Sequence, residues 1–363
     1  MRGADTKQGE MFTVLSPEKR VPKDHPLRPL KAMCDEALRR MSPLFDTMYS
    51  ATGRPSIPPE RLLKSTLLMA LYTVRSERLF CEQLDYNILF RWFLDMSLDE
   101  GSFDHSSFTR NRDRLLMADI AKEFFRTVVE QARAAGLLSD EHFSVDGTLI
   151  EAWASLKSFR KKGEKPEDRE PPDDPKNPTV NFHGEKRSNA THASTTDSEA
   201  KLARKSNAAA AKLSYSQHAL IENRNGLLVE IRVAEANGKA ECAMALEMLG
   251  DAVPGTRRIT VAGDKGFDTK AFVAECRMRN VTPHVAQNIT KQRGSAVDER
   301  TTRHAGYSIS QRFRKRIEEV WGWTKTVANF RKTRFKGLLR TEMASYFVGA
   351  AYNLLRMSRL LTA

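Results

Sequence analysis

The sequence predicts an α/β protein in which an all-helical N-terminal region precedes a mixed-sheet domain. Apolar residues recur at helical spacing through the first 140 residues. The pattern then changes to strand-like alternation at "HFSVDGTLIEAW", residues 142–153. Beyond that point strands alternate with helices, and two of the strands are joined as a hairpin. This order is typical of a mixed sheet with an antiparallel hairpin on one side.

The N-terminal region contains several helix signals in succession. "PKDHPLRPLKAMCDEALRRM" leads from prolines into an amphipathic helix. Pro58 and Pro59 mark the start of an apolar helical pattern that runs through Leu94. Ser106 or Ser107 is suited to cap a basic helix, and a further helix is expected to end with Gly136 just beyond it. We therefore predict a helical domain over residues 1–140.

The second region is predicted to hold its elements between residues 141 and 350. After the first strand, residues 155–210 are rich in charge and proline and are expected to form a flexible insertion. "AKLSYSQHALIENRNGLLVEIRVAEA" predicts a hairpin that turns at residues 223–226. The rest predicts helix, strand, helix, strand and helix, and "MASYFVGAAYNLLRMSRLL" predicts an amphipathic C-terminal helix, assigned to residues 341–363.

Composition narrows the class of protein. The formal net charge is +13 and the pI is about 9.6, which favours nucleic acid or an anionic surface as partner, although charge alone equally allows a basic soluble enzyme. The N-terminus has no apolar signal segment, and the longest apolar stretch, residues 62–74, is too short to span a bilayer. The four widely spaced cysteines favour reduced core thiols (Cys34, Cys81, Cys242 and Cys276). A cytoplasmic protein without membrane contact is expected.

Two aspartates lie where a mixed sheet places ligands. Asp146 belongs to the first predicted strand, in "SVDGT", and Asp264 follows the fourth strand, in "VAGDKG". Strand ends in such sheets are common ligand sites. Asp-Gly and Asp-Lys-Gly are also ordinary turn sequences, so either aspartate alone is equally well explained as a turn residue.

Two adjacent glutamates stand inside a strongly basic run. Residues 311–340 contain ten Lys and Arg but only two acids, Glu318 and Glu319. On an α-helix, Phe313, Ile317, Val320 and Thr324 form a buried stripe, and Arg314, Glu318, Trp321 and Lys325 form the next stripe. Glu319 is turned about 100° away from Glu318. An ordinary Arg314–Glu318 helix pair is the simplest explanation, whereas a divalent cation between Glu318 and DNA phosphate would explain the flanking bases.

Taken together, several stretches of the chain resemble one family. They include "DHPLR", "HSSFTRNRDRL", "VDGTLIEAWAS", "LSYSQHALIENRNGLLVE", "GDKGFDT", "VTPHVAQN", "RTTRHAGYSISQRFRKRIEEVWGWTKT" and "RKTRFKG". The chain resembles bacterial insertion-sequence DDE transposases of the insertion-sequence-4/insertion-sequence-5 superfamily. The resemblance implies a ribonuclease-H-like catalytic core in which Asp146, Asp264 and Glu318 are the catalytic residues and bind two Mg²⁺ ions, for which Mn²⁺ can substitute.

The family signature around the glutamate also implies DNA contacts. It contains a Tyr, an Arg, the Glu and a Lys, and the last three correspond to Arg314, Glu318 and Lys325. Gln311 stands at the Tyr position, a departure from the pattern, and Tyr307 lies one helical turn earlier. We assign DNA binding to these positions and to the bases of "RKTRFKG" (Arg314, Lys325, Gln311, Arg331, Arg334 and Lys336).

Other features allow both functional and structural explanations. Trp321 and Trp323 could stack on an unpaired base or pack against the sheet. Residues 191–206, "THASTTDSEAKLARKS", could form an acidic DNA or metal loop, although a solvated lead-in to the next strand is the simpler explanation. Residues 110–114 could read a DNA groove or form a solvated helix face.

The resemblance predicts a transposase that binds terminal inverted repeats, cleaves the transposon ends and transfers their 3′-hydroxyls to target DNA. The helical domain would bind the repeats and support a homodimer, and the protein would be cytoplasmic and associated with the nucleoid. Two rivals stay open. One is a ribonuclease-H-like nuclease without strand transfer, and the other is a non-catalytic DNA-binding protein derived from a transposase.

Overall fold

A computed structural model describes most of the chain. The described residues are 16–49, 52, 56–117, 119–163, 181–182, 185–206, 208–238, 240–253, 257–289 and 294–362. The part of the predicted insertion at residues 164–180, 183–184 and 207 lies outside them. In the described residues the predicted class is confirmed, because helices occupy the N-terminal region and a mixed sheet follows them.

The described residues of the N-terminal region form seven helices. They are α1 (Pro17–Arg20), α2 (Leu27–Met48), α3 (Pro59–Leu71), α4 (Glu77–Tyr86), α5 (Ile88–Phe93), α6 (His105–Met117) and α7 (Ile120–Ala134). The pattern that predicted one run from Pro59 to Leu94 is thus divided into three helices. Asn87 ends α4 and caps α5 by accepting the backbone N–H of Phe90. Gly136 follows α7 with a φ of 70°, as a residue just beyond a helix end should.

The residue that caps α6 lies two or three positions earlier than predicted. The carboxylate of Asp104, not Ser106 or Ser107, accepts the backbone N–H of Ser107 at 2.8 Å. Ser106 instead donates its hydroxyl to the same carboxylate at 2.6 Å. That hydroxyl is the main reason why the pKa of Asp104 falls to about 2. A charged cap is favoured here because the exposed N–H groups of a helix start attract negative charge.

A six-stranded sheet forms the centre of the second region. Its strands are β1 (His142–Glu151), β6 (Lys201–Ala203), β7 (Lys212–Glu222), β8 (Leu228–Glu235), β9 (Ile259–Gly263) and β10 (Val281–Val285). β1 pairs antiparallel with β7, which in turn pairs antiparallel with β8 and β6. On its other edge β1 pairs parallel with β9, and β9 pairs parallel with β10. An antiparallel hairpin extended by parallel strands is the ribonuclease-H-like arrangement expected.

The hairpin between β7 and β8 turns where the sequence predicted. Gly226 has a φ of 70°, the left-handed region that glycine tolerates best. The buried carboxylate of Glu222 accepts the backbone N–H groups of Arg224 at 2.9 Å and Asn225 at 2.6 Å. The turn therefore depends on an acid buried inside it as well as on a permissive glycine.

The insertion contains short strands that the sequence did not predict. Besides β6, which joins the central sheet, they are β2 (Phe159–Lys161), β3 (Asn181–Phe182), β4 (Glu185–Lys186) and β5 (His192–Ser194), which pair as β2 with β5 and β3 with β4. The acids of "THASTTDSEAKLARKS" are structural. Buried Asp197 accepts the Tyr215 hydroxyl at 2.7 Å, and Glu199 accepts the backbone N–H of Leu338 at 2.9 Å. These contacts fit neither an acidic DNA or metal loop nor a solvated lead-in to the next strand.

The remaining helices surround the sheet. They are α8 (Ala240–Ala252), α9 (Lys270–Met278), α10 (Glu299–Thr302), α11 (Ala305–Phe313), α12 (Ile317–Thr326) and α13 (Leu338–Thr362). α8 packs against β7 and β8, α9 against β10, and α12 against β1. Of the described helices, not one has the length and apolar character that crossing a bilayer requires.

The C-terminal helix α13 is buried far more completely than an amphipathic helix. Every residue from Met343 to Leu354 is buried. The reason is its position, since α13 packs against α2, α3 and α7 as well as against β8. The Asn353 amide on this helix bonds both backbone groups of Leu228 at 2.8 and 2.9 Å, whereas the buried Tyr346 hydroxyl has no hydrogen-bond partner among the described residues. One continuous hydrophobic core consequently joins the helical region to the sheet.

Two buried histidines give the fold a pH dependence. Burial lowers the pKa of His218 in β7 and of His284 in β10 to about 4, and the nearby His142 and His304 charges contribute at His284. Both rings are favoured in the neutral form when folded. Because the unfolded chain takes up these protons more readily, the free energy of unfolding falls as the pH drops from about 6.5, the pKa of an unfolded histidine, towards 4.

We expect the double variant His218→Gln/His284→Gln to lose less unfolding free energy than the parent between pH 7.5 and pH 5. Urea unfolding of both proteins at both pH values measures this difference. Carboxylates titrate equally in the two proteins, so the comparison isolates the histidines. An identical fall in both proteins would show that the rings are not held neutral.

Candidate active site

Asp146 and Asp264 come to the same edge of the sheet. β1 pairs with β9 only from His142 to Ser144, so Asp146 lies just beyond the end of that pairing. Asp264 follows Gly263, the last residue of β9. The two strands are parallel, and their carboxyl ends meet on one side. The Asp264 carboxylate also accepts the backbone N–H of Gly266 at 2.7 Å, which fixes the turn after the strand.

Asp146 is half-buried and has a specific donor. The indole N–H of Trp321 donates to its Oδ2 at 2.9 Å. Burial raises the pKa of Asp146, and the charge of Asp264 raises it further, whereas the Trp321 hydrogen bond and the Arg314 charge oppose the rise. Asp146 is consequently a carboxylate whose charge lacks full compensation from the protein.

The helix that carries the two glutamates is interrupted. α11 ends at Phe313, residues 314–316 form a 3₁₀ turn, and α12 begins at Ile317. Ile317, Val320 and Thr324 are buried as predicted, but Phe313 is 38% exposed, so its place on the buried stripe is wrong. Since a 3₁₀ turn advances about 120° per residue instead of 100°, it shifts the residues before it out of phase with those after it.

Glu318 and Glu319 lie on different faces of α12, and both are exposed. Trp321, one turn after Glu318, contacts Asp146, and the Lys325 ammonium donates to the hydroxyl of Thr148 on β1. The face that includes Glu318 is therefore the one directed at β1. Glu319 instead forms an ion pair with Arg356 of α13 at 3.5 Å.

A third carboxylate beside the two aspartates was missed by the sequence reasoning. A Cβ atom at Gly147 would lie 2.9 Å from Oε1 of Glu241, and one at Gly266 would lie 3.6 Å from Oε2. Burial raises the pKa of Glu241, and the charges of Asp264 and Asp146 raise it further. Its only sequence signal was an acid in the first turn of the helix that follows the hairpin.

The basic positions of the signature contact the protein around the site. Gln311 donates to the carbonyl of His284 at 2.5 Å and accepts the Nε–H of Arg314 at 3.0 Å, so it orients that guanidinium. Burial lowers the pKa of Lys325, and the charges of Lys205 and Arg331 lower it further. Tyr307 donates its hydroxyl to the carbonyl of Val285 at 3.0 Å.

The remaining predicted DNA contacts divide into two groups. Arg331 and Lys336 are exposed. Arg334, by contrast, contacts other residues of the protein. Its guanidinium lies 3.7 Å from Glu77 and 4.9 Å from the centre of the Phe335 ring, and it also contacts the Met69 sulfur. Burial lowers its pKa, although the Glu77 charge opposes that effect.

Both tryptophans that were considered for base stacking contact other residues of the protein. Trp321 is buried and bonded to Asp146, and Trp323 packs edge-on against Tyr352 with ring centres 5.7 Å apart. Trp153, just beyond β1, is instead 52% exposed.

The chemistry of the donors fits a hard divalent cation. Asp146, Asp264 and Glu241 supply only carboxylate oxygens, which Mg²⁺ and Mn²⁺ prefer. Within the described ranges, however, no group of three or more His, Cys, Asp or Glu side chains is arranged so that it could hold a metal ion. The two aspartates are adjacent, but the Glu318 carboxylate is not grouped with them.

Two family models match the chain. "Transposase domain (DUF772)" matches residues 15–114, and "Transposase DDE domain" matches residues 179–354. The first match covers most of the helical region. The second contains Asp264, Glu318 and Glu241, whereas Asp146 lies between the two matches.

Solved structures of transposases are also similar to the chain. The piggyBac transposase synaptic complex with hairpin DNA has 9% sequence identity and a TM-score of 0.41, over 93% of this chain and 76% of that one. The Mos1 mariner paired-end complex with Mn has 11% identity and a TM-score of 0.21, over 90% and 85%. The Mos1 paired-end complex with the left transposon end has 11% identity and a TM-score of 0.19, over 68% and 66%.

Proposed function

We propose that this chain, which belongs to the insertion-sequence DDE transposases, cleaves transposon ends by metal-dependent hydrolysis and transfers the 3′-hydroxyls to target DNA. The observation that carries this proposal is the contact between Trp321 and Asp146, because it brings the Glu318 face of α12 to the edge where Asp146 and Asp264 meet. Membership of the insertion-sequence-4/insertion-sequence-5 superfamily is part of the proposal.

Asp146, Asp264 and Glu318 would hold the metal in this proposal, as the family pattern implies. Two Mg²⁺ ions, or Mn²⁺ in their place, would activate the attacking oxygen and stabilise the leaving one. Glu318 is exposed and lies one helical turn from the Trp321–Asp146 contact. Its side chain can therefore turn towards Asp146 without any rearrangement of the core.

The chain's own residues position the carboxylates and the DNA. The Trp321 indole N–H and the backbone N–H of Gly147 both bond to the Asp146 carboxylate and hold it in place. Arg314, oriented by Gln311, lies close enough to Asp146 to oppose the rise of its pKa. Lys325 is held beside β1 by Thr148. We propose that Arg314 and Lys325 bind phosphates next to the cut, and that exposed Arg331 and Lys336 extend this contact along the strand.

Arg334 has a more limited part in the proposal. Its guanidinium is already paired with Glu77 of the helical region. A phosphate contact would have to compete with that pair, so its main contribution is to join the basic run to α4.

The helical region of residues 1–140 is proposed to bind terminal repeats and to support a homodimer. Joining two transposon ends requires two copies of the site in one assembly. The net charge of +13 fits a polyanionic partner, and binding should therefore weaken strongly with salt.

Incubation of the protein with the element's own ends and Mg²⁺, followed by gel analysis, tests the function. Cut ends and joined products together are expected. Cutting without joining would favour a nuclease, and binding without any Mg²⁺-dependent cutting would favour a non-catalytic DNA-binding protein.

Trp321→Phe should weaken Mn²⁺ binding about tenfold. The phenyl ring keeps most of the buried contact but removes the N–H that orients Asp146, and losing a hydrogen bond that orients a metal ligand typically lowers metal affinity about 10–100-fold. Calorimetric titration of the DNA-free protein with Mn²⁺ measures the effect. Trp323→Phe is the matched control, because Trp323 packs on Tyr352. Equal affinity for all three proteins would remove Trp321 from the site.

Glu241→Gln should raise the Tm of the metal-free protein. The substitution removes a charge that burial and the two neighbouring aspartates oppose. The gain is at most about 1 kcal/mol because water partly screens the group. Glu247→Gln is the control, since Glu247 is exposed on the same helix, as Glu241 is, but Glu241 alone of the two lies beside Gly147, next to Asp146. Thermal unfolding with and without Mg²⁺ checks this prediction, and a lower Tm for Glu241→Gln would contradict the proposed repulsion.

A further inference from the structure

A pocket of about 400 Å³ opens directly beside Asp146, between β1, β6 and the start of α8. We name it the β6 pocket. Gly147 and Thr148 of β1 form its floor. Arg204 and Lys205, which follow β6, line the part that we call the cationic wall, and Glu241 of α8 also lines the pocket. Its volume is within the range of small-ligand sites and is too small for a duplex.

Cations converge on one side of the β6 pocket. Arg204 and Lys205 are exposed, and among the described residues neither has an ion-pair partner. Lys325 reaches Thr148 on the pocket floor, and the charge of Lys205 is close enough to help lower its pKa. Like charges gathered around one hydroxyl are unfavourable unless an anion joins them.

The cationic wall is held by a fixed piece of backbone. β6 pairs with β7 from Lys201 to Ala203. The Asn189 side chain also bonds both backbone groups of Leu202, at 2.8 and 3.0 Å. Arg204 and Lys205 are therefore the first and second residues after a strand that is held by β7 and by the Asn189 side chain.

Neighbouring lysines outside the β6 pocket are neutralised. Lys201 pairs with Glu235 at 3.2 Å, and Lys212 pairs with Glu151 at 2.8 Å. Of these four nearby bases, only the two that line the pocket lack an acid. This difference points to an anionic ligand in the pocket rather than to a generally basic surface.

We propose that the β6 pocket binds one nucleotide of the DNA strand adjacent to the cut and holds its phosphate with Arg204 and Lys205. The inference rests on the proposed function and assigns these residues to it. A phosphate on the cationic wall shares the pocket with Glu241 and with Gly147, the residue that follows Asp146. The neighbouring phosphodiester of the same strand would then lie at the carboxylates.

The charge test compares two double variants in a full-length protein. Arg204→Gln/Lys205→Gln removes the pocket cations, and Lys201→Gln/Lys212→Gln removes the same charge from paired positions nearby. The probe is a duplex of the element's terminal repeat that continues past the cut. Its Kd is measured at several salt concentrations.

We expect the pocket variant to bind about tenfold more weakly at low salt. Its plot of log K against log salt should be shallower by about 0.7–0.9, the loss of one phosphate contact. The control variant should keep the parent slope. An unchanged slope in the pocket variant, or equal changes in both variants, would overturn the inference.

A second measurement locates the nucleotide. A photoreactive thiothymidine is placed at the first position on either side of the cut, in separate probes. One of the two should cross-link to a peptide that contains residues 201–206 or 236–241, and cross-links that avoid both peptides overturn the inference. If the parent protein cuts its ends while these tests fail, only the pocket assignment is lost. If the parent neither binds nor cuts its ends, the proposed function fails.

Discussion

Glu318→Gln is expected to abolish Mg²⁺-dependent cleavage of transposon ends while leaving end binding intact or tighter. The substitution keeps the size of the side chain and its helix propensity but removes a negative charge from the proposed metal site. Because Glu318 is exposed, it contributes little to the core, and the loss of activity should come without loss of stability. Cleavage assays with the element's ends, and Kd measurements on the same DNA, test both parts.

Glu319→Gln is the matched control on the neighbouring residue. It changes the charge by the same amount but lies on another face of α12, where Glu319 pairs with Arg356 at 3.5 Å. Loss of an exposed ion pair costs about 0.2–1 kcal/mol, so activity should be retained. If Glu318→Gln still cuts at the parent rate, or if Glu319→Gln is the inactive variant, the assignment of the metal-binding face is wrong.

Glu77→Gln should destabilise the protein by about 3 kcal/mol. Glu77 receives the guanidinium of Arg112 at 2.5 Å and lies 3.7 Å from that of Arg334, and only 16% of its side chain is exposed. Removing the acid leaves Arg334 without an acidic partner among the described residues and leaves Arg112 with Asp113 alone, at 3.2 Å, which is the costly way to break a buried ion pair. The free energy of unfolding in urea measures the loss.

Glu82→Gln is the control for this prediction. Glu82 is exposed on the same helix, and substitutions at such surface sites typically change stability by less than about 0.5 kcal/mol. Similar stabilities for the two variants would mean that Arg112 and Arg334 do not depend on Glu77. Arg334 would then be available for the phosphate contact that the sequence suggested.

Local patterns in the sequence were sufficient for much of the fold. The alternation around Asp146 predicted β1, and the Asn and Gly residues after Glu222 predicted the hairpin turn, where Gly226 has a positive φ. Ile317, Val320 and Thr324 are buried at the predicted helical spacing. These features depend on residues a few positions apart, so periodicity and turn chemistry record them directly.

The burial of α13 was decided by the tertiary structure. Its sequence shows polar residues at intervals, which favours an amphipathic helix with a solvated face. Thr341, Ser345 and Asn353 are nevertheless fully buried because partners on other elements satisfy them, such as Gln217 for Ser345 at 2.6 Å. A polar residue that will find a buried partner looks the same in sequence as one that will face water.

The sequence identified some residues of the candidate site, and the tertiary structure identified the others. The sequence alone, through its resemblance to the family, singled out Asp146, Asp264 and Glu318. Only the tertiary structure brought Trp321 to Asp146 across 175 residues, placed Glu241 beside both aspartates and gave Arg334 to Glu77. Contacts of this kind leave no periodic mark in the chain, because they depend on how β1, α8 and α12 pack together. The sequence states which charged or aromatic side chain stands at each position, whereas the packing of the elements determines which residue it contacts.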